Sequence, residues 1–150
     1  MSSNAAALAA LTKMAGTLRE LKRVPEFAVP EAAEGIQELL AEQFAQGRDP
    51  YGLPWAPLKP ATLRKGRRPP PLSASGALRN EVLRVPQASA AFGRITLTLG
   101  PRYGAFHQTG TRDMAQRLIF PEGRLPARWE RVIAKAVQNA FERRIKSALQ

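Results

Sequence analysis

The most informative stretch of the chain occupies residues 103–110 and reads Tyr103-Gly104-Ala105-Phe106-His107-Gln108-Thr109-Gly110. It holds the only histidine of the 150 residues, set among aromatic neighbours and closed by a glycine. Two further unusual segments flank it, a run of alternating prolines and apolar residues at Asp49–Leu58 and a short basic run at Arg124–Arg128. Together, in this order, the three segments carry most of what the sequence says about fold and function.

Length and composition predict a single domain over residues 1–150. A chain of this size buries roughly two-thirds of its unfolded surface around one core. No apolar run approaches the ~18 residues of a membrane-spanning helix, and no basic residue precedes the apolar run at Ala5–Leu11, so we expect neither a membrane span nor a secretory signal. Because the chain has no cysteine, disulfides and thiolate metal sites are excluded, which suits a reducing cytosol.

The charge is strongly positive and unevenly distributed, with a net value of +11 and a pI near 11.2. Between Tyr51 and Arg112 the only acidic residue is Glu81, whereas Glu26–Asp49 forms an acidic block that contains only Arg48 as a base. Such a balance predicts contact with a polyanion or an acidic protein. The acidic block and the basic middle section could pair within one fold or between copies of the chain, and the sequence leaves both open.

Two N-terminal segments have the apolar spacing of helices. We expect one helix at Asn4–Arg23 and a second at Pro30–Gln46, in which Pro30 suits the first helical position and Gly47 the C-terminal stop. The apolar stripes are Leu8, Leu11, Ala15 and Leu18 in the first helix, and Ala33, Ile36, Leu40 and Phe44 in the second. The sequence therefore predicts an N-terminal helical pair.

The middle of the chain predicts loops and short strands. A proline-rich basic loop is expected at about residues 50–71, with one helical turn at Pro60–Arg64. Polar and apolar residues alternate along Arg94–Leu99, which is typical of a strand. Further strands are expected at Arg117–Phe120 and around Val82, Leu83 and Val85.

The C-terminal segment Arg128–Leu149 predicts a long amphipathic helix. Its last turns are basic, which suits the negative end of the helix dipole. We expect it to bury one wide apolar face, formed by Trp129, Val132, Ile133, Ala136, Val137, Ala140, Phe141, Ile145 and Leu149.

His107 invites a catalytic interpretation but lacks the partners that catalysis needs. No Ser/His/Asp order and no cysteine nucleophile accompany it, and Asp113 is the only carboxylate nearby. We therefore predict no catalytic residue, no metal site and no cofactor. The expected role of His107 is structural, with its ring packed between Tyr103 and Phe106 and a ring nitrogen bonded to the backbone.

The segment Lys59–Arg68 holds five basic residues and no acid. Its candidate DNA phosphate contacts are Arg64, Lys65, Arg67 and Arg68. No aromatic residue interleaves with them, so base stacking is not supported, and a solvated loop or a subunit contact are the alternatives. Trp55, upstream, has two alternatives as well: docking on a partner as a rigid anchor, or packing on its own core.

Four stretches together resemble the phage virion morphogenesis family. They are Phe44–Thr62 with its Asp-Pro, Gly and Trp positions, Leu72–Leu78 with Ser75-Gly76, the strand and His motif from Ile95 to Gly110, and Leu125–Arg128. The resemblance covers roughly Ile36 to Leu149. Two positions depart from the family pattern, because Gly104 stands where alanine is more usual and Trp129 where proline often follows the arginine.

The resemblance implies a structural, non-enzymatic protein of the virion neck or tail, which completes the tail and enables head–tail joining. It would be assembled in the host cytoplasm as a homo-oligomer, a hexameric ring, with other phage neck, connector and tail proteins and the packaged DNA as partners. The alternative, supported by charge alone, is a small basic nucleic-acid-binding protein without catalysis.

The same resemblance implies an α+β fold with an N-terminal helical pair, a small antiparallel sheet and a long C-terminal helix packed on it. The proline loop and the His loop would supply subunit or partner contacts through Trp55, Tyr103, Phe106 and His107.

Overall fold

The computed structural model of the chain describes residues 2–72, 75–84, 86–89, 93–99 and 102–149. These residues are mostly helical. The elements, in chain order, are α1 (Ser2–Lys22), α2 (Val24–Gln46), α3 (Pro60–Arg64), α4 (Ala77–Arg84), β1 (Pro86–Ser89), β2 (Arg94–Leu97), α5 (Arg102–Thr109) and α6 (Ala127–Leu149). Within the described ranges, no helix has the length and apolar character to cross a membrane.

The predicted N-terminal helical pair is confirmed, and a single turn residue, Arg23, separates its members. However, α2 begins earlier than expected, since Pro25 lies in its first turn and Pro30 lies inside the helix. A proline in the first turn gives up no helical hydrogen bond, so Pro25 both ends α1 and begins α2. At the other end Gly47 has a φ of 64°, the left-handed conformation that stops the helix as predicted.

The core forms where α2 crosses α6, the most extensive contact between two elements. The buried residues of these two helices include several small side chains: Ala28, Ala32, Ala33, Ala136 and Ala140. At Gly35 the approach is so close that an added Cβ would lie 2.4 Å from Cγ1 of Val132. Beside the crossing, larger side chains complete one cluster: Ile36, Leu40, Phe44, Trp55, Leu78, Val82, Ile119 and Trp129.

Apart from two isolated bridges, the described β structure is one antiparallel pair, β1 with β2, in which Ala88 lies opposite Ile95. This pair packs against α2, while α6 packs chiefly on α2 and α1. The helical part of the predicted architecture is therefore confirmed, but a sheet beneath the C-terminal helix is not seen among the described residues, and the α+β assignment is not established.

Three local predictions are wrong. Val82 and Leu83 belong to helix α4, because Leu78 and Val82 are spaced four residues apart and both are buried. The His motif at 103–110 is a helix, α5, rather than a loop. The segment at 117–120 is not a strand, since it pairs with side chains instead of a neighbouring strand. Val85, which one of the strand predictions included, lies outside the described residues.

The predicted C-terminal helix is confirmed with a start one residue earlier, at Ala127. Its wide buried face is confirmed only in part. Trp129, Ala136 and Ala140 are buried, but Val137, Phe141 and Leu149 are 45%, 47% and 58% exposed. The apolar face of α6 is thus covered only along the stripe that contains Trp129, Ala136 and Ala140, and it is open at Val137 and Phe141 beside that stripe.

Candidate functional site: a side-chain clamp and a cationic cleft

The three segments that the sequence singles out meet in space, and side chains join them. Gln108 on α5 makes the first connection, to residues 117–120. Its Oε1 accepts hydrogen bonds from the backbone N–H groups of Ile119 (2.8 Å) and Phe120 (3.0 Å), and its Nε2 donates to the carbonyl of Phe120 (2.9 Å). One side-chain amide thus supplies the hydrogen bonds that a neighbouring strand would otherwise supply.

Arg117 makes the second connection, from this segment to the proline loop. Its guanidinium is 7% exposed and donates through Nε to the carbonyl of Ala56 (2.7 Å) and through Nη2 to that of Pro57 (2.9 Å). No described carboxylate forms a salt bridge with it, and burial lowers its pKa from the ordinary value. A buried charge is costly unless it is hydrogen-bonded. The two backbone carbonyls therefore hold the Arg117 guanidinium in place, and the guanidinium ties the proline loop to the core.

Trp55 and Tyr51 make the remaining connections. Trp55 is 5% exposed, lies edge-on to Phe44 with ring centroids 5.4 Å apart, and donates through Nε1 to the carbonyl of Leu118 (2.7 Å). The Tyr51 hydroxyl accepts from the N–H of Glu122 (3.1 Å) and lies 2.9 Å from the carbonyl of Arg124. We call these four residues, Tyr51, Trp55, Gln108 and Arg117, the clamp.

The placement of Trp55 decides between its two sequence alternatives. Its indole packs inside its own subunit, as part of the clamp and of the core cluster. The side chain therefore presents no free surface to a partner in this conformation.

His107 is half-buried on α5, with the ring of Tyr103 edge-on at a centroid distance of 6.5 Å. Phe106 is 51% exposed, so the expected packing between two aromatic rings is not formed. The expected ring-to-backbone hydrogen bond is not formed at Nδ1, which is buried without a partner among the described residues. Burial, and to a lesser degree the nearby charge of Arg117, lower the pKa of His107, so the fold favours the neutral form of the ring.

A cleft of about 420 Å³ brings part of the predicted interface together with part of the basic loop. Tyr103 and His107 form one wall, and Arg67 and Arg68 form another; the apolar remainder comes from Leu58, Pro70, Leu72 and Leu78. Gly104, next to Tyr103 on α5, is buried, and a Cβ there would lie 3.0 Å from Cδ1 of Leu78, so an alanine would require the Leu78 side chain to shift slightly. We call this site the cationic cleft.

The other two candidate phosphate contacts, Arg64 and Lys65, lie outside the lining of the cleft. All four cations are exposed, and none forms a salt bridge with another described residue. The basic loop therefore offers unpaired positive charge at the surface.

The acidic block, in contrast, is largely engaged within the fold. Glu31 accepts from Arg143 (2.6 Å) and Glu42 from Arg128 (2.5 Å), so both glutamates pair with α6. These hydrogen bonds hold the pKa of each carboxyl below its usual value of 4.5. These partners belong to α6, and no described salt bridge joins the acidic block to the basic middle section, so both possibilities for pairing those two regions stay open.

Three of the clamp residues, Tyr51, Gln108 and Arg117, were not identified as site residues from the sequence. Gln108 lies inside the motif that resembles the family, which is a usable signal. Arg117 offers none, because a buried arginine and a surface arginine look alike in a sequence. In the described ranges no group of three or more His, Cys, Asp or Glu side chains is arranged to hold a metal ion.

Comparison with known proteins gives one result for the whole chain. Curated proteins and solved structures yield no match. Residues 6–149, which include the clamp, the cationic cleft and both long helices, match the phage virion morphogenesis family. The chain therefore belongs to the phage virion morphogenesis family, a family of structural and assembly proteins of the phage particle.

Proposed function

We propose that this protein is a structural component of the phage neck or tail that completes the tail and enables it to join the filled head. The observation that carries the proposal is the clamp. The polar groups of its residues bind the backbone of other segments, which is what a rigid assembly subunit requires. Family membership supports a role in the virion, and the clamp supports a role without catalysis.

In this proposal the subunit works as a homo-oligomer, a hexameric ring that matches the symmetry of the tail. It contacts neighbouring neck, connector and tail proteins, and it is assembled in the host cytoplasm before entering the virion. The cationic cleft supports partner contact, because aromatic rings of Tyr103 and His107 and apolar side chains such as Leu58 and Leu72 line it together with Arg67 and Arg68. That combination suits an acidic segment of a partner protein with an apolar anchor.

A deletion of the gene tests the assembly role. We expect filled heads and unjoined or overlong tails by electron microscopy, with infectivity restored by the wild-type gene in trans. Normal infectious particles from the deletion strain would contradict the proposal.

Complementation with loop variants then tests the cleft. Arg67→Gln with Arg68→Gln removes both cations of the cleft, and Arg64→Gln with Lys65→Gln removes two cations of the same loop outside it. We expect the first pair to reduce particle yield more strongly than the second. Equal yields from both pairs would mean that the cleft has no special role.

The alternative function is nucleic-acid binding without catalysis, and the four unpaired cations of the loop favour it. Phosphate contact would make the affinity for duplex DNA fall linearly in log salt, by about 0.9 units of slope per phosphate neutralised. Replacing all four cations with glutamine should then reduce the slope by about four units at most. A salt-independent, weak DNA interaction would leave only the protein-partner role for the loop.

A further inference from the structure

The first part of helix α1 projects from the body of the protein without any cover. Every residue from 4 to 15 is exposed, and we call this part of α1 the arm. Large apolar side chains nevertheless line one side of it and continue one turn further: Leu8, Leu11, Met14 and Leu18 are 66%, 62%, 62% and 60% exposed. Residues three and four positions apart lie on the same face of a helix, so these four form one continuous stripe.

The body of the same subunit does not cover this stripe. Where α1 does touch the body, Gly16, Thr17 and Glu20 are half-buried, and Glu20 pairs with Arg144 of α6 at 3.0 Å. Leu18, between these residues, stays exposed. The contact face and the apolar stripe are thus two different faces of one helix. Because a short helix alone is marginal in water, and most helical stability comes from packing an apolar face, the arm needs a partner.

An apolar groove elsewhere on the same subunit has the complementary character. It has a volume of about 470 Å³ and is bordered by Val29 and Ile36 of α2, Ile95 and Leu97 of β2, and Ile133 and Val137 of α6. No charged residue lines it. The arm does not fill the groove of its own subunit, since all of its residues are exposed.

We propose that the arm of one copy of this chain docks its apolar stripe into the groove of the next copy. The proposal deepens the homo-oligomeric part of the proposed function and rests on it. The occupant is a second copy because every subunit carries both the apolar stripe and the apolar groove. Neither of these two surfaces has the charge that would attract DNA. An arm and a groove are different surfaces, so the contact is head-to-tail, the arrangement that gives a ring when the rotation between copies closes.

Two pairs of matched variants test the contact by mass measurement in solution. In the arm, Leu11→Glu places a charge on the stripe, and Ala9→Glu places it on another face of the same helix. In the groove, Val137→Glu is compared with Phe141→Glu. Phe141 lies one turn further along α6 and outside the groove, and its exposed fraction of 47% is close to the 45% of Val137. We expect Leu11→Glu and Val137→Glu to lower the association constant by roughly 30-fold or more, the effect of losing a hot-spot residue, and both controls to keep the wild-type mass.

Mixing the two defective variants identifies the geometry. Leu11→Glu keeps an intact groove and Val137→Glu an intact arm, so the mixture should form one-to-one heterodimers although each variant alone is monomeric. If Val137→Glu assembled like the wild type, arms would be pairing elsewhere, and the proposal would be overturned. A wild-type chain that stays monomeric at every concentration would overturn it as well.

Folding and salt provide the remaining controls. Circular dichroism confirms that each variant is folded, and Val137→Gln repeats the groove test if the glutamate variant unfolds. At a net charge of +11 the copies repel one another, so added salt should strengthen an apolar contact, whereas it would weaken pairing between the basic loop and an acidic block. If salt dissociates the oligomer, the proposal fails.

These assays use the purified chain without phage, so their outcome is separate from that of the deletion experiment. A failed docking test would leave tail completion standing. If the deletion strain made normal particles while the docking assays succeeded, the proposed function would be contradicted and the arm–groove contact would be supported.

Discussion

The arm of α1 has regular backbone structure but no burial, whereas the segment around Ile119 has no regular structure but is buried. The arm is regular helix, yet every one of its residues is exposed. Ile119 lies in a segment without regular structure, yet it is 0% exposed and belongs to the core cluster. Regular backbone structure satisfies hydrogen bonds locally, but it does not determine which surface is removed from water. In this protein the irregular segment is the better packed of the two because clamp side chains supply its hydrogen bonds.

The largest expected effect contrasts these two regions directly. Ile119→Ala should destabilise the fold by about 2–5 kcal/mol, the range for truncating a fully buried aliphatic side chain. Leu11→Ala, which removes a similar side chain from the arm, should change stability by less than about 0.5 kcal/mol when measured below the concentration of self-association. Urea denaturation measures both. Similar losses would mean that the arm packs on its own subunit.

The next effect tests the clamp. Gln108→Leu leaves the N–H groups of Ile119 and Phe120 without their acceptor. A buried unsatisfied group costs about 1–3 kcal/mol, and because these two bonds are only part-buried we expect a loss near the lower end for two groups, about 2–3 kcal/mol. Gln116→Leu is the matched control, since Gln116 is exposed and makes one hydrogen bond, to the carbonyl of Gln108. The control should lose less than about 1 kcal/mol. Equal melting temperatures for the two variants would show that the Gln108 amide does not hold the segment.

A smaller contrast divides helix α6 itself. Ile133 is half-buried and packed against the core cluster, so Ile133→Ala should cost about 2 kcal/mol. Phe141 is 47% exposed, and Phe141→Ala should cost less than about 1 kcal/mol. The sequence pattern alone predicts similar large losses for both. Thermal denaturation of the two variants distinguishes a half-covered helix from a fully covered one.

The smallest effect is a pH dependence at His107. Its pKa in the fold lies below the ordinary value of 6.5, so the folded state binds the proton less well than the unfolded state. The neutral ring therefore contributes stability that is fully present above pH 6.5 and is lost as the pH falls through the lower folded pKa. His107→Gln should remove this part of the pH dependence between pH 6.5 and the range where carboxylates begin to titrate. An unchanged slope in the variant would mean that His107 titrates alike in both states.

Some features followed from local sequence alone because their causes are local. The end of α2 at Gly47, the helical turn at Pro60–Arg64 and the extent of α6 depend on conformational preference and on apolar spacing within a few residues. The order of four short motifs also carried the family resemblance in the sequence. The match of residues 6–149 to the phage virion morphogenesis family confirms it.

Other features depended on contacts between distant residues. Val82 has the β propensity of a strand residue, but its burial together with Leu78 one turn earlier makes the segment a helix. The 117–120 segment has a strand-like composition, yet its hydrogen bonds come from Gln108, and Arg117 is buried by carbonyls some 60 positions away in the chain. Periodicity identified the apolar faces of α1 and α6. Only the packing of α6 against α2 and α1 decided which parts of those faces are covered, because burial requires a second surface that no local pattern contains.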